Sequence, residues 1–213
     1  MAIGSPRTMR FPEVREARRA MLSLPHIKPL TDFVGRLRDT YDAEFPDFDP
    51  ADGGTNASII FLLEKPGPMT SSAREGRSGS GFISRDNDDP TAEATFNFMI
   101  QAGIPRGQAV LWNLIPGWNG TRKITRDELA MGALEVENLV TLLPNAKAIV
   151  LVGKKAQRAE RLLQGSGLKI IRSPHPSPLV RASQPDQWRE IPRYWAEAAT
   201  AIWTPQSTGL EPR

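Results

Sequence analysis

The amino-acid sequence predicts a three-layer α/β/α fold, with helices on both faces of a central four-stranded parallel sheet. Three observations carry that expectation. Four apolar runs of strand length follow residue 57, and none shows the polar alternation of a half-exposed strand. Helical patterns stand between them, as strands that cross over into a parallel sheet require. The chain has 213 residues, 39% hydrophobic and 24% charged, which suits one compact domain with a sizeable core.

Residues 1–10 are polar and expected to be mobile. Residues 11–45 read as helix in two pieces, broken near Pro25 and Pro29 because proline cannot sit inside a helix. Asp47 to Asn56, rich in Asp and Gly, reads as a loop. Ser58 to Leu63 is the first strand, and a glycine-rich loop follows over 65–90. Thr91 to Gln101 is a helix stopped by Gly103 and Pro105. Ala109 to Leu114 is the second strand. Thr125 and Glu128 form a capping box that opens a helix running to about Leu143. Ala148 to Val152 is the third strand, Lys154 to Gln164 a helix, and Leu168 to Ile171 the fourth strand. Pro185 to Trp203 closes as a helix. The organisation expected is an N-terminal extension (1–56) packed on an α/β domain (57–204), with a flexible tail (205–213).

Composition narrows the chemistry. The chain has no cysteine, which excludes disulfides, thiol nucleophiles and thiolate-held zinc or iron–sulfur clusters. With only His26 and His175 present, a multi-histidine metal site is implausible. No apolar run approaches the roughly 20 residues of a membrane span. The N-terminus carries no apolar signal core, so a cytoplasmic protein is expected. The net charge of +3 and a pI near 9.4 suit an anionic partner.

Ligands of open parallel sheets bind beyond the carboxyl ends of the strands. The residues there are Glu64-Lys65-Pro66-Gly67, Asn113, Gly153-Lys154 and the run Ser173 to Leu179. A carboxylate and a histidine can share acid–base or electrostatic work. Asn113 offers a donor and an acceptor together, matching the carbonyl and imide edge of a pyrimidine. A Gly-Lys turn offers N–H groups and positive charge to a phosphate. Prolines 174, 176 and 178 stiffen the loop that carries His175. Each residue also has a plainer reading. Glu64 could be a salt-bridge partner, Asn113 a chain-turning residue, and Gly153-Lys154 an ordinary turn. His175 could be structural and Phe82 a core plug. The joint placement at one sheet edge argues for a site.

At these residues the chain resembles the uracil-DNA glycosylase superfamily over roughly 58–181. His175-Pro176-Ser177-Pro178-Leu179 is similar to the family's histidine motif. Leu151 to Gln157 resembles its glycine–serine loop, with Lys154 where serine often stands. Trp112-Asn113 looks like the strand end that reads uracil, Gly81-Phe82 the segment that stacks on the base, and Asp89-Pro90-Thr91 the proline-rich DNA contact. Glu64-Lys65-Pro66-Gly67 resembles the first motif of the thermophilic branch, in which a glutamate occupies this position. That branch holds an iron–sulfur cluster. With no cysteine, and with Leu63 in place of an opening glycine, this chain resembles a divergent, cluster-free member.

The resemblance implies a fold of that superfamily and a monofunctional hydrolase of base excision repair, acting as a monomer on single- or double-stranded DNA. A uracil nucleotide would be flipped into the pocket. Phe82 would stack on the base and Asn113 would pair with its edge. His175 would donate to the uracil carbonyl as the glycosidic bond breaks, while Glu64 orients water or stabilises the cationic sugar. Gly153, Lys154 and Ser177 would grip phosphates, Leu179 would wedge into the vacated stack, and Pro90 and Arg181 would touch the strand. The resemblance implies that no metal or cofactor is needed. Gly67 stands where an aromatic usually excludes thymine's methyl, so 5-substituted uracils would be admitted. Two other readings are a weakly active binder of damaged or abasic DNA and a glycosylase for another deaminated base such as hypoxanthine. A third is a nucleotide- or sugar-binding α/β domain, disfavoured because no GxGxxG follows the first strand.

Overall fold

The computed structural model describes residues 5–71 and 79–202. The expected tail, Trp203 and part of the glycine-rich loop lie outside them. Two helices open the chain, α1 (Pro12–Ala20) and α2 (Lys28–Thr40), each with proline in its first turn where no intrahelical donor is needed. The sheet strands are β2 (Ile59–Leu63), β4 (Ala109–Asn113), β5 (Ala148–Val152) and β6 (Lys169–Ser173). They run parallel in the order β4-β2-β5-β6.

Every residue of β4 and β5 is buried, as are the first four of β2. Successive side chains of a strand point to opposite faces, so both faces of the sheet are covered. Only the edge strand β6 exposes residues, Lys169 and Arg172. One apolar cluster joins the strands to Phe33, Val34 and Leu37 of α2 and to Trp195 of the last helix. No helix among the described residues is long and apolar enough to cross a membrane.

The connections differ from expectation in four places. The segment read as a loop from Asp47 begins with strand β1 (Asp47–Phe48), which pairs parallel with β3 (Phe82–Ile83) inside the supposed glycine-rich loop. Two-residue strands carry no alternation that a sequence could reveal. Helix α3 (Pro90–Gln101) is capped by Asp89, and α4 (Arg126–Thr141) carries the expected capping box. The helix expected over 154–164 is instead a 3-10 turn, Ala156–Ala159, running into the single-turn α5 (Glu160–Leu163). The stiff loop after β6 yields α6 (Pro178–Ser183), capped by Ser177. The closing helix splits into α7 (Pro185–Arg189) and α8 (Ile191–Ile202). Pro192 lacks an N–H and so fits the first turn of a new helix rather than the interior of a long one.

Candidate active site

The chain runs from β2 to β4 on one side, then to β5 on the other. The loops leaving β2 and β5 therefore part from each other, and the crevice between them is the topological switch point of the sheet. Glu64 leaves β2 and Gly153 leaves β5. The ladder continues past the strands, with Leu114 N–H donating to Leu63 O and Ile115 N–H to Glu64 O. The Glu64 backbone is thereby fixed.

Gly153 has φ +92°, a conformation that disfavours any side chain. A methyl group placed there would fall 2.7 Å from Glu64 Oε1 and 3.2 Å from both Cβ and Cδ2 of His175. The bare glycine thus lets a carboxylate and an imidazole meet across the β5 turn. Past it, the Lys155 N–H donates to Glu64 Oε1 at 3.2 Å, and Lys155 Nζ lies 3.5 Å from Oε2. Lys154 is exposed.

His175 sits on a loop anchored at both ends. The Ser173 carbonyl accepts from Gly153 N–H and from Gln157 Nε2, and Ser173 Oγ accepts from the indole of buried Trp195. Ser177 N–H then donates to the His175 carbonyl at 2.8 Å. Burial pushes the His175 ring below the ordinary histidine range. The Glu64 charge opposes that shift, Lys155 adds to it, and Asp89 and Arg122 act in opposite senses.

Asn113 ends β4, in register with Leu63. It is 3% exposed, yet its side chain makes no hydrogen bond among the described residues. Its amide atoms are not among the buried polar atoms that lack a partner, so they keep contact with solvent and can exchange it for a ligand. The loop beyond Asn113 packs closely on α4, where a Cβ on Gly132 would fall 2.1 Å from Leu114 O. Trp112 is core, stacked on Phe48 with ring centroids 3.9 Å apart.

Lys65 turns away from its neighbour Glu64. Its ammonium donates to Asn119 Oδ1, Lys123 O and Glu128 Oε1, and the side chain is 4% exposed. A Cβ on Gly67 would meet nothing within 4 Å among the described residues. Phe82 is buried but lies outside the main apolar cluster, with its carbonyl held by Asn87 Nδ2. Pro90 is the first residue of α3, next to Asp89. On α6, Leu179 is 76% exposed and Arg181 packs on the Trp188 ring at 5.1 Å. Ser177 Oγ accepts from Val180 N–H as the cap of α6. The structure thus brings Glu64 and His175 to the same side-chain-free space at Gly153 and sets Asn113 on the strand beside Glu64. Lys155 was missed because nothing in a Lys-Lys pair says which side chain folds back.

A parallel sheet covered on both faces, with an acid, an imidazole and a carboxamide at its carboxyl edge, defines this chain as an α/β protein of three layers. Residues 50–199 match the family described as the uracil DNA glycosylase superfamily, and the chain belongs to that superfamily. Among solved structures it is similar to a candidate uracil DNA glycosylase from Methanosarcina acetivorans. The two share 19% identity and a TM-score of 0.41, over 68% of this chain and 92% of that one. A mimivirus UNG variant in complex with UGI is 16% identical, with TM-score 0.41, over 83% of this chain and 74% of that one. No curated protein sequence matches.

Proposed function

We propose that the protein is a monofunctional DNA glycosylase that flips uracil out of DNA and hydrolyses its N-glycosidic bond. The observation that carries this reading is the convergence of Glu64 and His175 across Gly153, one strand from the unpaired carboxamide of Asn113. Asn113 would pair with the uracil carbonyl and imide. As the bond from C1′ to N1 breaks, the electron pair passes to the base, and His175 donates a hydrogen bond to the developing oxyanion. Glu64 stabilises the cationic sugar or orients the water that adds to C1′. Phe82 stacks on the base, and Gly67 leaves room beside carbon 5. Gly153, Lys154 and Ser177 contact phosphate, Pro90 and Arg181 the strand, and Leu179 fills the gap left by the base. Lys65, held by Glu128, leaves the Glu64 carboxylate to other partners. Cytoplasmic action on DNA as a monomer completes the proposal.

The test is release of uracil from single- and double-stranded oligonucleotides. The wild type is expected to release it, and Glu64→Gln and His175→Ala to lose on the order of 10²-fold or more. Absence of release by the wild type, with release of hypoxanthine instead, would move the substrate. Unchanged release by both variants would place the chemistry elsewhere.

A further inference from the structure

The turn after β5 holds two adjacent lysines, and they behave differently. Lys154 is exposed, and Lys155 folds back over Gly153. Through its N–H and its ammonium, Lys155 contacts both oxygens of Glu64. The other side of that carboxylate oxygen faces the position where a Gly153 side chain would stand, against the His175 ring. We propose that Lys155 is a positioning residue of the active site, which fixes the Glu64 carboxylate beside His175 and holds a positive charge near the imidazole.

The inference rests on the glycosylase reading for what Glu64 and His175 do, but its electrostatics do not. Four charged groups act on the His175 ring. Glu64 and Asp89, at the α3 N-cap, draw a proton onto it, and Lys155 and Arg122, in the loop before α4, oppose that. Removing Lys155 leaves two anions against one cation. The pair is also half in water, so it contributes little to folding. Its consequence belongs to the two groups it faces.

The experiment is a histidine-ring NMR titration of the full chain beside a pH profile of uracil release. Only two histidines are present, so a His175→Ala spectrum assigns both signals. The His26 ring, bonded to the Pro50 carbonyl, marks an intact fold. In Lys155→Met the His175 titration should move up, and the acid limb of kcat should move up with it. Lys155→Arg should restore both. A merely phosphate-binding lysine would raise KM and leave both titrations unmoved, which would overturn the proposal. So would a borohydride-trapped adduct between Lys155 and the abasic sugar, because it would make the amine a nucleophile. If the NMR shift appears while the wild type releases no uracil, the electrostatic role stands and the glycosylase reading fails.

Discussion

Two glycines of the site answer opposite demands. At Gly153 a side chain would strike Glu64 and His175, so the absence of one brings the acid and the imidazole together. At Gly67 a Cβ would meet nothing within 4 Å among the described residues. The backbone there is already fixed, because the Gly67 carbonyl accepts from both the N–H and the hydroxyl of Thr70. Gly67→Tyr should therefore fold normally and narrow the pocket. An added methyl on a ligand is discriminated by roughly 10- to 200-fold where a wall touches it. The ratio of kcat/KM for uracil over a 5-substituted uracil should rise within that range in Gly67→Tyr. An unchanged ratio would mean that carbon 5 faces another wall.

At the scale of elements, the end of β2 is tied to the start of α4 by one side chain. Lys65 reaches Glu128, the same residue that closes the capping box with Thr125, and also holds the 119–123 loop. Lys65→Met should lower stability to denaturant by about 2 kcal/mol, because Glu128 and two other acceptors lose a nearly buried cation. Release of uracil by the folded variant should change by only a few-fold. Abolished release with unchanged stability would instead put Lys65 in the chemistry. This pairing also marks what a sequence can reveal. The parallel sheet was legible because β2, β4 and β5 are buried on both faces and so are apolar throughout. The α4 start was legible because a capping box is local. The β1–β3 pair was not, since two residues carry no period. Glu64, Asn113 and His175 could be expected at one sheet edge because each stands at, or one or two residues past, the carboxyl end of a strand. The partners of Lys65 and Lys155 lie 63 and 91 residues distant in sequence, so no local pattern could assign them.

At the scale of the whole molecule, helix α1 is joined to the segments flanking the sheet by a buried ionic cluster. Arg18 of α1 pairs with Asp49 and Asp86, and Arg106 pairs with Asp49, Asp52 and Asp86. Burial works against the Arg106 charge, and the three aspartates outweigh it. Asp52 is the weak member. Arg106 serves its Oδ1 at 2.8 Å, while Oδ2 has no hydrogen-bond partner among the described residues. Burial, with Asp49 and Asp86 adding and Arg106 and the nearby Arg85 opposing, lifts its titration from 3.8 to about 7. Below the unfolded value the carboxyl is protonated in both states and burial is tolerated. Between about 4 and 7 the folded chain holds a proton that the unfolded chain has released, so stability falls as pH rises through that window. The range corresponds to at most about 4 kcal/mol at this one group. Asp52→Asn keeps an acceptor for Arg106 and removes the titration. Urea midpoints measured from pH 4 to 8 should then diverge, the wild type losing stability relative to Asp52→Asn as pH rises. His175, pushed below its ordinary range, tilts both profiles the other way and cancels in their difference. Parallel profiles would mean that Asp52 stays ionised throughout, balanced by Arg106, and that helix α1 is held equally well at every pH tested.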